Sequence, residues 1–424
     1  MMVNGYKTFK RSVATQKWIH TKSNSTKRVI IGMSGGVDSS VAAHLLKSKN
    51  FEVIGVFMKN WDLIDETGNC RADKEAEDAE YVCQRLQIPF YNFNFVKEYW
   101  MDVFERLVDE YNHGITPNPD IDCNKHIKFG NFYQKCLQQF GSDIAIATGH
   151  YARTSFGDFL QDYKPNCNAK LLLPVDLEKD QTLFLSQIPQ NALRRTMFPL
   201  GHLPKIVVKE IATSIGLGKI AQKKESMGIC FVGKRKVAGK RKTGFQEFLK
   251  EYIPAKPGPV VNIDNQKPIG EHQGVQFYTL GQRARIKSRR PDPGFVADKD
   301  IKTNTLYVCF GHDHPALMSQ HFFTGQPYWI DQIPDALSNS RKDKTLICKY
   351  RSQNKRPLSD VSISYGLTST TNWEFVNRAT LTVSLAVPER AITPGQYAVF
   401  YQDEECLGSA RIQRVKTLDN RTIE

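Results

Sequence analysis

From Gly32 to Ser40 the chain reads Gly-Met-Ser-Gly-Gly-Val-Asp-Ser-Ser, residue types suited to holding phosphate. A glycine pair lets the backbone approach a ligand closely, and a helix that follows offers unpaired N–H groups and a positive dipole end. Serine hydroxyls add donors. A Walker loop would need a lysine before the hydroxyl residue, and here Asp38 precedes Ser39. A capped Gly-Gly turn is the simpler alternative. Two thiols also stand in company that could be chemical. Cys123 follows Thr116-Pro117-Asn118-Pro119-Asp120, where two prolines fix a turn and the next residues enter a helix. Such a place favours thiolate, although Asp122 opposes it, so an activated thiol and a packed helix cysteine are both open. Cys230 lies in Glu225-Ser226-Met227-Gly228-Ile229-Cys230-Phe231-Val232-Gly233, apolar surroundings that by themselves suggest an inert core residue.

These residues need a scaffold, and the hydrophobic pattern supplies one. Val29–Gly32 reads as a buried strand and Val41–Leu46 as the helix after the loop. Glu52–Met58 is a second strand, Arg71–Gln87 an amphipathic helix, Pro89–Phe95 a third strand and Lys97–Asn112 another helix. A further helix runs to about Phe140, and Asp143–Thr148 is a strand broken at Gly149-His150. Strands apolar on both faces that alternate with helices predict an α/β fold with a doubly wound parallel sheet. Ligands of such sheets bind beyond the carboxyl ends of the strands. The loop, Met58 and Gly149-His150 all fall at that rim. His150 is open between a ligand contact and a packing role.

The texture changes near Lys234, where Lys234-Arg235-Lys236 and Lys240-Arg241-Lys242 form a basic repeat. A second basic cluster spans Arg283, Arg285, Lys287, Arg289 and Arg290. Beyond about residue 304 the chain reads as all-β. Leu381, Val383, Leu385 and Val387 keep a period of two, and Leu306–Phe310, Leu346–Tyr350 and Tyr397–Tyr401 are similar. A small barrel would close these strands. Arg351–Trp373 reads as a long surface loop. The expected divisions are therefore a leader over 1–27, an α/β domain over 28–233, a small central domain over 234–303 and a β-barrel over 304–424.

The formal charge is +14, and the first 28 residues hold seven lysines and arginines with no acid. That leader fits a mitochondrial transit peptide or a disordered basic tail, with a cytoplasmic protein as the alternative. The remainder is still basic, which favours a polyanionic partner. No apolar run reaches the length of a membrane span. Nine cysteines without a Cys-x-x-Cys pair argue against a disulfide scaffold and a zinc ribbon.

Seven motifs occur in one order: Ser34-Gly35-Gly36-Val37-Asp38-Ser39-Ser40, Phe57-Met58-Lys59-Asn60-Trp61, Asn118-Pro119-Asp120 with Cys123-Asn124, Thr148-Gly149-His150-Tyr151-Ala152-Arg153, Lys179-Asp180-Gln181, Gly228-Ile229-Cys230-Phe231 and Tyr278-Thr279-Leu280-Gly281-Gln282-Arg283. In this the chain resembles the tRNA-specific 2-thiouridylases from about Arg28 to near its C-terminus. The resemblance implies an ATP pyrophosphatase domain of Rossmann-like form, a small central domain and a C-terminal β-barrel. The implied reaction replaces O2 of a wobble uridine by sulfur. ATP would lie on Gly32, Met33, Ser34, Gly35, Gly36, Val37, Asp38, Ser39, Met58 and Gly149, with Mg²⁺ on the pyrophosphate and no metal ligand assigned. Asn118, Pro119 and Asp120 would face the target base, while His150, Lys179, Asp180, Gln181, Lys349, Tyr350 and Gln396 would touch tRNA. Cys230 would carry a persulfide and Cys123 would attack it; the other seven cysteines would be structural.

The implied partners are tRNAs for Lys, Glu and Gln and a cysteine desulfurase or sulfur-relay donor. The chain departs from the family's pattern at Lys349, where Arg is frequent, in the extra Val237–Thr243, and over Arg351–Trp373. Two rival readings are another adenylating ATP pyrophosphatase and a tRNA-binding protein without catalysis.

Overall fold

The computed structural model describes residues 28–62, 71–223, 248–284, 292–338, 345–353, 356–366 and 380–424. The leader, Cys230, both halves of the first basic repeat and most of the second cluster lie outside them. Among the described residues no helix is long and apolar enough to cross a membrane.

The N-terminal part is built on five parallel strands: β1 (Arg28–Met33), β2 (Glu52–Lys59), β3 (Phe90–Asn94), β4 (Ile144–Ala147) and β5 (Thr196–Met197). Their order is β3-β2-β1-β4-β5, and every neighbouring pair is parallel. Alternate residues serve opposite cores. Ile30, Ile144 and Ile146 join one hydrophobic cluster, while Val29, Ile31, Met33, Ala145 and Ala147 join the other. Both faces are thus covered, as the unbroken apolar runs predict. Helix α1 (Val37–Ser48) follows β1, and α2 (Arg71–Leu86) follows β2. Strand order reverses between β1 and β4, so the crevice for a ligand opens above those two carboxyl ends.

Two helical stretches depart from α geometry. The helix Val96–Tyr99 passes through a π-helical turn, Trp100–Phe104, before continuing as Glu105–Asn112. A second π-helix, Cys123–Asn131, begins at the candidate thiol. Its end shows the wide turn directly, since Phe132 N–H donates to the carbonyl five residues back, Ile127. Such turns concentrate at functional sites because they shift side chains out of α register.

A four-stranded sheet comes next, made of Gly258–Asn262, Pro268–His272, Gly294–Asp300 and Thr305–Phe310. Thr305–Phe310 pairs with both Gly294–Asp300 and Gly258–Asn262. The expected boundary at 304 therefore cuts through this sheet, and the strand read as the barrel's first belongs to the central domain. The alternation in Leu306–Phe310 marks a strand but carries no information about its partner.

The barrel closes through Met318–Thr324, Thr380–Arg390, Ser359–Gly366, Thr345–Arg351, Tyr397–Gln402 and Glu405–Thr417, the last pairing back to the first. Phe322, Tyr350, Ile363, Leu381, Val383 and Phe400 fill its interior. Arg351–Trp373 is not one surface loop: Ser359–Gly366 is a barrel strand whose Val361 and Ile363 point inward. Its intervening serines hid the period of two. Two short strands of the N-terminal part, Arg153–Thr154 and Leu171–Leu172, continue the barrel sheet beside Glu405–Cys406. The barrel is thus sewn into the N-terminal part through backbone hydrogen bonds.

Candidate active site

The loop after β1 has the form the sequence predicts. Gly35 sits at φ +68°, and a Cβ there would lie 2.6 Å from the Glu75 carbonyl and 2.8 Å from Asp78 Cβ on α2. Only glycine permits that approach. The serines act differently from expectation. Ser39 Oγ accepts from Ser34 N–H at 3.2 Å and donates to the Gly36 carbonyl at 3.2 Å, and Ser40 Oγ donates to the same carbonyl at 2.8 Å. These two hydroxyls brace the loop. The donors left for an anion are the first-turn N–H groups of α1 and the exposed Ser34.

Gly149 closes against this turn from the end of β4. A Cβ on it would stand 2.6 Å from Ser39 N and 2.7 Å from Asp38 C. Met58 Cε would lie 3.1 Å from a Cβ on Gly32. The three rim segments therefore meet, as the sequence reading requires.

Asp38 has a partner the sequence reading missed. Lys205 Nζ donates to its two carboxylate oxygens at 2.6 and 2.7 Å, and the Tyr151 hydroxyl donates to Oδ1 at 3.0 Å. The same ammonium lies 5.5 Å from the Tyr151 ring centroid. Lys205 is only 8% exposed and opens the helix Lys205–Ser214. A cation in a first helical turn faces the positive end of the dipole, an unfavourable place that could have flagged it. No group of three His, Cys, Asp or Glu side chains able to hold a metal occurs among the described residues. A Mg²⁺ ion carried by nucleotide phosphates would meet one carboxylate at this rim, the partly exposed Asp38.

His150 links this rim to the thiol's helix. Lys128 can only donate, so His150 Nε2 accepts from it at 3.4 Å, and Nδ1–H then donates to Thr148 Oγ1 at 2.8 Å. Burial, reinforced by Lys128, drives the imidazole well below its ordinary range. It is a neutral ring at physiological pH.

Cys123 lies at the end of a capped turn. Asn118 Oδ1 accepts from Ile121 N–H at 3.4 Å and Pro119 opens the helix Pro119–Asp122, an arrangement legible in Asn-Pro-Asp. Asn124 Nδ2 donates to the Asp120 carbonyl at 2.8 Å. The thiol is 6% exposed. Burial raises Asp120 while Lys128 opposes it, and burial raises Asp122 to about 6.

The expected tRNA contacts divide. Lys349 is exposed, but Tyr350 is fully buried in the barrel and bonded to Ser352, so only the lysine of that pair faces outward. Alternation along a barrel strand separates neighbours in this way. Asp180 is 1% exposed and pairs with Arg351 of the barrel, while its Oδ1 accepts from Thr182 N–H at 2.8 Å. Gln181 Oε1 accepts from Tyr151 N–H at 2.9 Å. Asp180 is thus engaged inside the protein, while Lys179 and Gln181 remain partly exposed. Gln396 lies against the turn before Cys123: its Nε2 donates to the carbonyls of Thr116 at 2.8 Å and Pro117 at 2.9 Å.

Of the seven cysteines expected to be structural, Cys83, Cys136, Cys309, Cys348 and Cys406 are buried, and burial raises each thiol, that of Cys83 to about 12. Cys167 is exposed, against that expectation, and Cys70 lies outside the described residues.

The chain was compared with known proteins. Residues 27–234 match the family model described as a tRNA methyl transferase HUP domain, residues 246–310 its PRC-barrel domain and residues 319–412 an aminomethyltransferase beta-barrel domain. It is 46% identical over 399 residues to mitochondrial tRNA-specific 2-thiouridylase 1 of Drosophila melanogaster, covering 94% of this chain and 97% of that one. The chain belongs to the tRNA-specific 2-thiouridylase family. The human protein of the same name is 44% identical, with 92% of this chain and 91% of that one covered. The thiouridylase MnmA of Pectobacterium atrosepticum is 41% identical, with 92% and 98% covered.

Proposed function

We propose that this chain is a mitochondrial tRNA sulfurtransferase that uses ATP to convert wobble uridine to 2-thiouridine, with AMP and pyrophosphate as by-products. The observation that carries the reading is the meeting of loop, Gly149 and Met58 at the strand-order reversal, joined through His150 and Lys128 to the helix of Cys123. Uridine O2 is a poor leaving group. Its attack on the α-phosphorus of ATP releases pyrophosphate and makes it one. The first-turn N–H groups of α1 would steady the departing anion, Lys205 would balance Asp38 beside it, and Mg²⁺, when bound, supplies further neutralisation.

The outer sulfur of a Cys230 persulfide then attacks C2 and AMP leaves. Cys123, as thiolate, takes the inner sulfur, so the S–S bond to the base breaks, sulfur stays on C2 and a Cys123–Cys230 disulfide remains for an external thiol to reduce. Their meeting would require the segment between Lys223 and Phe248 to bring Cys230 to Cys123. Cys230 follows Lys223 by seven residues, a reach of about 25 Å. Lys223 pairs with Asp78, the residue pressed against Gly35. The chain is described again at Phe248, in the same hydrophobic cluster as Cys123.

Asn118, Pro119 and Asp120 would face the target base, and Lys179 and Lys349 would reach phosphates. tRNAs for Lys, Glu and Gln and a cysteine desulfurase or sulfur-relay donor complete the scheme. Nucleoside mass spectrometry of organellar tRNA from cells lacking the protein tests it. Wobble 2-thiouridine should be absent, return with the wild-type copy and stay absent with Cys230→Ser; its persistence in the deleted cells would overturn the reading.

A further inference from the structure

The turn that carries Cys123 is gripped by both accessory domains. On one side Gly114, at φ +74°, lies so close to Ile301 of the central domain that a Cβ would fall 2.4 Å from Ile301 Cγ1. On the other, Gly395 of the barrel, at φ +91°, would place a Cβ 2.3 Å from Ile115 Cγ2 and 2.7 Å from the Thr116 carbonyl. Gln396 follows it. Both of its amide N–H groups are spent on the Thr116 and Pro117 carbonyls, and its Oε1 accepts from Asn118 Nδ2 at 3.3 Å. The barrel fixes this amide in turn, because Gly395 N–H donates to the Ile412 carbonyl and Ile412 N–H to the Gln396 carbonyl. Prolines at 117 and 119 remove two backbone donors from the turn, so its carbonyls depend on a partner from elsewhere.

We propose that Gln396 is a positioning residue: it holds Asn118, the cap of the helix that ends at Cys123, and thereby lets the barrel set the pose of the reacting thiol. This rests on Cys123 being that thiol, as proposed above. The connection runs from Gln396 to the Asn118 side chain, from Asn118 Oδ1 to Ile121 N–H, and along one helical turn to Cys123. A side chain whose donors are used up inside the protein has little left for a nucleic acid. Its removal should be felt at the thiol before any RNA is present.

The test compares wild type with Gln396→Leu, Asn118→Ala and the double variant, using intact tRNA. In the absence of tRNA, peptide-mapped alkylation of Cys123 by N-ethylmaleimide should change at least threefold in Gln396→Leu. Single-turnover sulfur transfer should fall about tenfold, the scale expected for a misplaced reacting group, while the Kd for tRNA stays within twofold. The double variant should lose less than the product of the two single losses, because both single variants break the Gln396–Asn118 connection. Unchanged alkylation and transfer with weakened tRNA binding would overturn the proposal and make Gln396 an RNA contact; unchanged values of all three would make its amide idle and overturn it equally. Should Cys123→Ser retain full thiolation, the reading of Cys123 fails, and the alkylation measurement still reports separately on what Gln396 holds.

Discussion

Asp38 shows how one side chain can be read correctly for place and incompletely for company. It stands in the first turn of α1 beside the loop, with Lys205 on both oxygens. Replacing Lys205 by Met leaves a partly exposed carboxylate facing the triphosphate, so the KM for ATP should rise about tenfold or more, an order set by one lost charge-assisted contact. Asp38→Asn combined with Lys205→Met restores local neutrality and should recover part of that loss; pyrophosphate-release kinetics of wild type and these two variants decide it. A double variant worse than Lys205→Met would contradict the charge-balance account. The glycines, Met58 and the Asn-Pro-Asp cap were legible because each has a local backbone reason. Lys205 was not, since it comes from a helix 167 residues away. Tyr350 and Asp180 were misread for the same cause: outward or inward is decided by barrel register and a distant arginine.

At the scale of elements, the helix from Pro119 through Asn131 carries the thiol into a cluster of buried charge. Asp122 is raised to about 6 by burial, with Glu110 adding and Arg106, Arg411 and Lys125 opposing. The folded chain holds this proton more tightly than the unfolded one. The contribution is therefore full below about pH 4 and is lost as pH rises through about 6. Asp122→Asn removes the titration, so its stability relative to wild type should increase between pH 4 and pH 7, by up to about 3 kcal/mol. Denaturant midpoints at the two values measure this, and a flat difference would refute it. The alternation of strand and helix up to β4 was plain in the sequence because parallel strands buried on both faces are uniformly apolar. The π-helical start at Cys123 left no such trace, since it reflects packing and not periodicity.

For the whole molecule, the barrel is part of the catalytic unit. Arg351 and Asp180 form a buried ion pair across the junction, Thr182 and Tyr401 hydroxyls lie 3.2 Å apart, and Ser186 donates to Ser409 at 2.9 Å. Removing one partner of the ion pair, as in Arg351→Met, should cost about 3–5 kcal/mol by stranding a buried carboxylate; a denaturant midpoint within error of wild type would contradict this. The order of the three domains could be read from composition and motif, but their interlocking could not, because it depends on pairs separated by more than 160 residues. Activation at the loop and sulfur delivery through two thiols form the centre of the account, and they should separate in one experiment. Purified wild type, Cys123→Ser and Cys230→Ser are given ATP, tRNA, a thiol reductant and a cysteine desulfurase with cysteine as the persulfide donor, and pyrophosphate and 2-thiouridine are measured together. Both serine variants should still release pyrophosphate in a tRNA-dependent manner and form no 2-thiouridine; 2-thiouridine from either variant at the wild-type rate would contradict the account.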